Sequence, residues 1–152
     1  MSIEPHAPAT SYLPEKTSWV ATQLAQIDAA GDTRVADING MSIIVMTMRG
    51  ARSGLLRRVP VMRVEHDGTY AAFASKGGAA KHPTWFYNLN AGGEVLVQDG
   101  TEQLTRTIRL LEAGPERDQW WDRGVAAFPP YAEYQQKTDR QIPVFLLEPR
   151  NG

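Results

Sequence analysis

The dipeptide Asp67-Gly68 constrains the fold of this chain most, because it separates two runs of residues that favour β-strands. A two-residue turn of type I′ needs positive φ at both central positions, and Asp-Gly meets that need at low cost. The turn predicts an antiparallel hairpin in which a strand over residues 57–66 pairs with the residues that follow. His66 is then expected opposite Thr69.

Continuing this ladder predicts a contact between distant parts of the sequence. Ser75 falls opposite Pro60, Gly77 opposite Arg58, and Gly78 opposite Arg57. The loop before the first strand and the residues after the second strand are therefore expected at the same end of the hairpin.

The groups gathered there have the chemistry of an anion site. Arg52 lies on a loop between Gly50 and Gly54, Arg57 begins the next strand, and Lys76 ends the strand paired with it. A phosphate group favours guanidinium, ammonium and backbone N–H donors together. Any one such side chain is more often a solvated surface charge. Their convergence nevertheless favours a binding site.

Composition limits the other classes of function. The chain has 152 residues and is predicted to form one domain, residues 1–152. A net charge of −1 argues against a general nucleic-acid binder, and the absence of cysteine excludes thiolate chemistry and cysteine-ligated metals. No apolar run approaches the ~20 residues of a membrane span, and no signal pattern opens the sequence. We therefore expect a cytoplasmic protein.

Periodicity and turn residues divide the chain into helices and strands. Residues 1–12 are predicted to be a flexible arm and residues 13–31 an N-terminal helix, started by Pro14. Three shorter helices are expected near residues 79–89, after Pro115 and after Pro130. The predicted strands cover residues 41–48, 57–66, 69–76, 94–98, 103–110 and 142–147. About six strands joined by tight turns, with peripheral helices, favour a mostly antiparallel, barrel-like α+β domain.

The segment around His82 offers a second group of candidates. Pro83 is predicted at the first helical position. The free N–H groups at the start of that helix are then expected to point to the end of the hairpin where Lys76 lies. His82 by itself is more often a helix cap than a catalyst, and Trp85 is more often a core residue. No metal site is predicted, and a catalytic triad built from Ser53, Ser75 and His82 has no supporting context.

Tyr131 and Tyr134 lie three residues apart on the helix predicted after Pro130, so they can project to the same side. Two phenols on one face can line a pocket or can serve as half-buried packing. Spacing alone favours neither alternative.

Four blocks of residues together resemble a known family. They are Gly50-Ala51-Arg52-Ser53-Gly54 with Arg57 and Pro60, then Ala74-Ser75-Lys76-Gly77-Gly78, then His82-Pro83-x-Trp85-x-Tyr87-Asn88-Leu89, and Pro129-Pro130-Tyr131-x-x-Tyr134-Gln135-x-x-Thr138-Asp139-Arg140-x-Ile142-Pro143. In this order they resemble the deazaflavin-dependent nitroreductases, the class A reductases that use coenzyme F420 on a split β-barrel of the FMN-binding type. The likeness runs from about Met41 to Pro149.

The resemblance implies a role for each block. The cofactor, an 8-hydroxy-5-deazaflavin with a phosphate and an acidic lactyl-glutamyl tail, is expected to be held by these groups and by the Pro60 strand beside the ring. The implied cofactor-binding residues are Arg52, Ser53, Arg57, Pro60, Val61, Met62, Ser75, Lys76, Gly77, Gly78, His82, Trp85 and Asn88. Tyr131 and Tyr134 are the implied catalytic residues, with Tyr134 or water donating a proton. Ala51 stands where many members have a second basic residue, which leaves the preferred tail length open.

The implied activity is an F420H2-dependent reduction of an electron-poor small molecule such as an activated alkene, a quinone or a nitroaromatic. Two alternatives stay open at this point: a carrier of F420 or a flavin-like ligand without turnover, and an FMN-dependent split-barrel oxidoreductase. A homodimer is also open, since exposed apolar barrel faces often pair.

Overall fold

The structure, a computed structural model, describes residues 18–38 and 40–149 of the chain. The predicted arm 1–12, the proposed helix start at Pro14 and residue Asn39 lie outside these residues. The described α-helices are α1 (Ser18–Ala30), α2 (Thr84–Asn90), α3 (Pro115–Ala127) and α4 (Pro130–Gln136). The described strands are β1 (Asp37–Ile38), β2 (Met41–Arg49), β3 (Leu56–Met62), β4 (Glu65–His66), β5 (Thr69–Phe73), β6 (Glu94–Asp99), β7 (Glu102–Leu110) and β8 (Val144–Pro149).

All strand pairings are antiparallel, and they follow the order β1-β2-β6-β7-β8-β5-β4, with β3 on the other side of β2. β3 and β4 follow each other along the chain with only Arg63 and Val64 between them. Because β3 pairs with β2 and β4 pairs with β5, the sheet curls round on itself. The result is the split β-barrel of α+β class that the sequence predicts, with six longer strands and two short ones.

The strand after the Gly50–Gly54 loop changes its partner within two residues. The N–H of Arg63 donates to the carbonyl of Ser42 on the β2 side, at 2.9 Å. The carbonyl of the next residue, Val64, accepts the N–H of Ala71 in β5, also at 2.9 Å. The predicted strand 57–66 is therefore divided into β3 and β4.

The predicted turn at Asp67-Gly68 is confirmed, with His66 opposite Thr69, but the longer ladder is wrong. Pro60, Arg58 and Arg57 lie opposite Val45, Thr47 and Met48 of β2 instead of Ser75, Gly77 and Gly78. The reason is that an Asp-Gly turn fixes only the pairs next to it. Beyond them, β2 forms the longer ladder with β3.

The two faces of β2 belong to two different cores, which explains its continuous apolar sequence. Ile44, Met46 and Met48 face a buried cluster inside the barrel. Ile43 and Val45 face a second cluster, formed with residues of α1, α3 and α4 on the outside of the sheet. This strand is buried on both sides from Ile43 to Met48.

α3 packs closely on β5 because Gly124 has no side chain. A Cβ at Gly124 would lie 2.2 Å from the Cζ atom of Phe73. The Phe73 ring in turn stacks on Tyr131 of α4, with centroids 4.7 Å apart. This contact links α3, the end of β5 and the aromatic residues of α4.

The helix near residues 79–89 is shorter than predicted. Pro83 is the residue before the first turn, and α2 begins at Thr84. Gly92 and Gly93 follow its end at positive φ, as expected of a helix stop. None of the described helices combines the length and the apolar content that crossing a bilayer requires.

Candidate active site

Both candidate loops lie at one end of the barrel, although not through the predicted hairpin. β2 ends at Arg49 opposite Leu56, the start of β3, and this is the end of β2 nearest to the start of β6. The same end of the barrel also holds the starts of β6 and β8 and the ends of β7 and β5, because these strands pair antiparallel with one another. The loop 50–54, the residues after Phe73 and the helices α2 and α4 thus surround this end of the barrel.

The Gly50–Gly54 loop is closed by its own backbone and attached to α2. The N–H of Gly50 donates to Leu55, and the N–H of Gly54 donates to Gly50, at 2.8 and 2.9 Å. The N–H of Ala51 donates to Oδ1 of Asn88, near the end of α2, at 2.9 Å. Asn88 therefore fixes the loop through its side-chain oxygen, and its side-chain nitrogen takes no part in this contact.

Two buried donors below this loop have no acceptor among the described residues: Nε of Arg57 and Nδ2 of Asn88. Gly50 makes room for the first, because a Cβ there would lie 3.1 Å from the Arg57 Nε. A buried donor without an acceptor costs about 1–3 kcal/mol. A polar ligand that accepts from both atoms would remove this cost. Arg52 and Ser53 are exposed.

A cavity of about 260 Å³ adjoins Asn88 and the Gly50–Gly54 loop. Its lining includes Gly50, Ala51, Asn88 and the pair Gly92 and Gly93. A larger cavity, of about 540 Å³, lies at the opposite end of β2. Both arginines of its lining are already paired with carboxylates, Arg34 with Asp32 and Arg63 with Asp99. We therefore place the candidate site at the smaller cavity, near the buried donors that have no acceptor among the described residues.

The Ser75–Gly78 loop has an unusual backbone. Lys76, Gly77 and Gly78 all have positive φ, at 46°, 63° and 83°. A residue with a Cβ in this conformation costs about 1–2 kcal/mol, so Lys76 is strained. Strained residues cluster at functional sites. Lys76 and Gly77 are exposed, whereas Ser75 and Gly78 are buried.

Gly78 brings this loop against α4. A Cβ at Gly78 would lie only 2.6 Å from the carbonyl oxygen of Tyr134. The predicted catalytic Tyr134 and the predicted anion-binding Lys76 are therefore parts of one packed unit.

Arg140 is the residue that the sequence analysis missed. Its Nε donates to the carbonyl of Ala79 at 2.8 Å, and its two terminal nitrogens donate to Ala74 at 2.9 Å and Ser75 at 2.6 Å. These partners are 61 to 66 residues away, so no local pattern could announce the contact. Its presence in the fourth resemblance block was the only available signal.

His82 lies beside Arg140 and stacks on Phe86, with centroids 4.0 Å apart and planes inclined by 17°. Its Nδ1 is 3.2 Å from a terminal nitrogen of Arg140. Because a guanidinium only donates, Nδ1 must be the acceptor and the proton of the neutral ring must be on Nε2. Burial, followed by the charge of Arg140, lowers the pKa of His82.

The aromatic residues divide into a buried and a half-buried group. Tyr131 is 4% exposed, and its ring lies between Phe73 and Phe128. Burial raises the pKa of Tyr131. Tyr134 is half-buried, with its centroid 6.3 Å from that of Tyr131. Of the two phenols, Tyr134 is the one placed to meet a bound molecule.

The other predicted residues lie in β3 and α2, and residues 60–62 form the end of β3 away from the Gly50–Gly54 loop. Pro60, Val61 and Met62 lie in β3, with Val61 half-buried and the other two buried. Trp85, in α2, is half-buried and 6.4 Å from Phe145, measured between ring centroids.

α2 connects the two loops. Asn88 near its end contacts Ala51, and His82 just before its start contacts Arg140, which holds Ser75. A helix of this length spans about 10 Å. The two groups of donors are thus neighbours across one short helix. Within residues 18–38 and 40–149, no group of His, Asp or Glu side chains is arranged to hold a metal ion.

The fold and the site together define a split-barrel protein with two donor-bearing loops at one end, bordered by aromatic side chains. The family model described as F420H(2)-dependent quinone reductase matches residues 19–149. A putative F420H(2)-dependent quinone reductase of Mycobacterium tuberculosis is 30% identical over 108 residues, which are 70% of this chain and 89% of that protein. The chain therefore belongs to the F420H2-dependent quinone reductase family and is an oxidoreductase whose cofactor is coenzyme F420.

Solved structures agree with this assignment. A structure of an F420-H2 dependent reductase (FDR-A) is 57% identical, with a TM-score of 0.66, and covers 70% of this chain and 93% of that chain. A structure described as a domain-swapped dimer is 50% identical, with a TM-score of 0.70, and covers 88% of this chain and all of that chain. The predicted membership of the F420-dependent reductases is confirmed, although "nitroreductase" describes the family more loosely than "quinone reductase" does.

The residues present fit the acidic part of this cofactor. The unsatisfied donors of Arg57 and Asn88 are buried, and both need an acceptor. Lys76 and Gly77 add an ammonium group and an exposed backbone on the other side of α2. An elongated ligand with a phosphate group and carboxylates could satisfy both sets.

Proposed function

We propose that this protein binds reduced F420 between the Gly50–Gly54 and Ser75–Gly78 loops and uses it to reduce quinones. The observation that carries the binding site is the pair of buried donors, Arg57 Nε and Asn88 Nδ2, that have no acceptor in the described protein. Family membership supports the choice of quinones among the three substrate classes that the sequence suggested.

In this proposal the two loops divide the anionic groups of the cofactor between them. Arg57 and Asn88 would donate N–H groups to one part, and Asn88 lines the cavity of about 260 Å³. Lys76 would bind another anionic part of the cofactor with its ammonium group. A bound anion is stabilised by donors of both kinds because hydrogen bonds to charged groups are worth about 1.5–3 kcal/mol each.

When bound, reduced F420 supplies a hydride to the substrate. A quinone that takes up a hydride also needs one proton to become the hydroquinone. Tyr134 is the residue that we assign to this proton, because it is half-buried and its backbone lies against the Ser75–Gly78 loop. Tyr131 would act by supporting Tyr134, since its ring is buried against Phe73.

The predicted ring-binding residues complete the proposal. Val61 on β3 and Trp85 on α2 are half-buried, so both leave surface for a flat molecule. Their apolar surfaces would keep water from the reacting atoms while the polar groups stay at the loops.

We also propose that the protein forms a homodimer. The support is the 50% identical structure described as a domain-swapped dimer, which this chain covers completely. Sedimentation equilibrium would show the mass of a dimer, and a monomer at all concentrations would contradict it. Residence in the cytoplasm stays a prediction.

Parallel titration with F420 and FMN tests the binding site. We expect F420 to bind, with a change in its fluorescence, and FMN to bind much more weakly. Reduced F420 mixed with protein and a naphthoquinone under anaerobic conditions should return to the absorbance of the oxidised cofactor. Tight FMN binding without F420 binding would overturn the proposal, and F420 binding without quinone-dependent oxidation would indicate a carrier.

A further inference from the structure

We propose that Arg140 is a positioning residue that holds the Ser75–Gly78 loop in its anion-binding conformation and connects that loop to the helix of Tyr134. This inference rests on the proposed function and assigns a residue that the binding of F420 does not itself name.

The side chain of Arg140 binds the backbone on either side of the 3₁₀ turn Lys76–Gly78. Three of its nitrogens donate to the carbonyls of Ala74, Ser75 and Ala79, at 2.6 to 2.9 Å. These carbonyls flank the run Lys76–Gly78, in which every φ is positive. A guanidinium has donors in a fixed fork, so it can satisfy several carbonyls only when they adopt one arrangement.

The direction of these bonds decides what the loop offers to a ligand. In a trans peptide, the N–H points opposite to the carbonyl of the preceding residue. Since the Ser75 carbonyl points to Arg140, the N–H of Lys76 points away from it. The bonds of Arg140 thus turn the backbone donor of Lys76 to the side opposite the guanidinium.

The backbone of Arg140 is fixed to α4 by Gln135. The Gln135 side chain donates to the carbonyl of Arg140 at 2.8 Å and accepts the N–H of Ile142 at 2.9 Å. Gln135 follows Tyr134 directly in α4, and Gly78 lies against the Tyr134 backbone. The loop, Arg140 and α4 therefore form one unit, and a shift of one part displaces the others.

Arg140 also brings an uncompensated charge to the loop. Its bonding partners are the three backbone carbonyls and neutral His82, and it forms no ion pair with a carboxylate of the described residues. A positive charge on the inner side of the loop favours an anion on its outer side. The geometry of the guanidinium donors and its positive charge thus both favour an anionic ligand.

Two variants separate these contributions. Arg140→Lys keeps the charge and loses the fork, and Arg140→Met keeps much of the length and loses both. The ligands are F420 and the deazaflavin chromophore that lacks the phosphate and the glutamyl tail. Arg123→Lys, on α3 and stacked over Trp120, is the matched control for a general effect of replacing arginine.

We expect both Arg140 variants to bind F420 about tenfold more weakly or worse, a loss of about 1.4 kcal/mol. The tail-less chromophore should bind within about twofold of wild type, because it does not use the loop. The pKa of His82, followed by NMR, should rise in Arg140→Met, since the neighbouring charge is gone. Arg123→Lys should change none of these quantities.

Wild-type affinity for F420 in Arg140→Lys would overturn the role of the fork. An equal loss for F420 and the tail-less chromophore would overturn the positioning role and indicate general damage to the fold. If Arg140→Met does not fold, Arg140→Lys decides through the ratio of the two affinities. Failure of the proposed function is a different result, because the wild-type protein itself would then not bind F420.

Discussion

The backbone N–H of Ala51 donates to Oδ1 of Asn88 at 2.9 Å, across 37 residues of sequence. Because the oxygen is used for the loop, the amide nitrogen of Asn88 stays buried without an acceptor. One side chain thus holds the loop with one atom and offers the other to a ligand.

Asn88→Asp separates these two roles. A carboxylate keeps an oxygen for the Ala51 N–H, so the protein should fold, but it replaces the donor with a negative charge. We expect F420 to bind at least about tenfold more weakly, because a hydrogen bond to a charged group is lost. Fluorescence titration measures the change. Asn90→Asp, with the same charge change on an exposed residue of α2, should bind normally; equal losses in both variants would mean a general charge effect.

Gly78→Ala should destabilise the protein more than Gly77→Ala. Both residues have positive φ, which costs about 1–2 kcal/mol once a Cβ is present. Only at Gly78 would the Cβ also meet the Tyr134 carbonyl, at 2.6 Å, and such overpacking adds about 1–3 kcal/mol. Urea denaturation of the two variants gives the free energies of unfolding. Equal free energies of unfolding for the two variants would show that α4 shifts to accommodate the new Cβ without loss of stability.

Gly124→Ala tests two effects of opposite sign. In a helix interior, alanine is more favourable than glycine by about 1 kcal/mol. The new Cβ would lie 2.2 Å from the Phe73 ring, which is held by Trp121 and Tyr131. We expect the clash to dominate, with a net loss of about 1–2 kcal/mol and a lower Tm. A higher Tm would mean that the ring moves freely.

Tyr134→Phe should slow turnover and leave F420 affinity unchanged. A positioned general acid contributes about 10²–10⁴-fold to a rate. We expect kcat for quinone reduction to fall toward the lower end of that range, because water can replace the phenol in part. Stopped-flow oxidation of bound, reduced cofactor measures the step. Equal kcat at saturating quinone would limit Tyr134 to packing.

His82 should make stability depend on pH below neutrality. Its pKa is lowered from 6.5, first by burial and then by Arg140, so the folded protein favours the neutral ring. The unfolded chain takes up the proton first, and stability is therefore present above about pH 6.5 and is lost as the pH falls toward the lowered value. The nearby groups are Arg140 and the Tyr87 ring, whose centroid is 6.2 Å away.

The measurement compares urea midpoints at about pH 7.5 and pH 5.5. His82→Phe keeps an aromatic ring for the stack on Phe86 and cannot titrate, so its midpoints should differ less between the two conditions. The same pH dependence in both proteins would assign the effect to other groups.

Local patterns in the sequence determined most of the elements. The Asp67-Gly68 turn, the doubly buried β2 and the helix α3 that begins at Pro115 all follow from residues next to one another. The family resemblance also named Arg57, Lys76 and Asn88, and for Arg57 and Lys76 the cationic donors themselves favour an anion site whatever the exact packing.

Tertiary structure alone decided which strands pair and which buried donors have no acceptor among the described residues. Any strand offers the same backbone groups, so the sequence near Arg63 and Val64 could not show that the ladder passes there from β2 to β5. Burial of Tyr131 and the bonds of Arg140 likewise depend on residues brought together by the closed barrel. Side-chain patterns fix local conformation, whereas partners far apart in the chain are selected by the packing of the whole core.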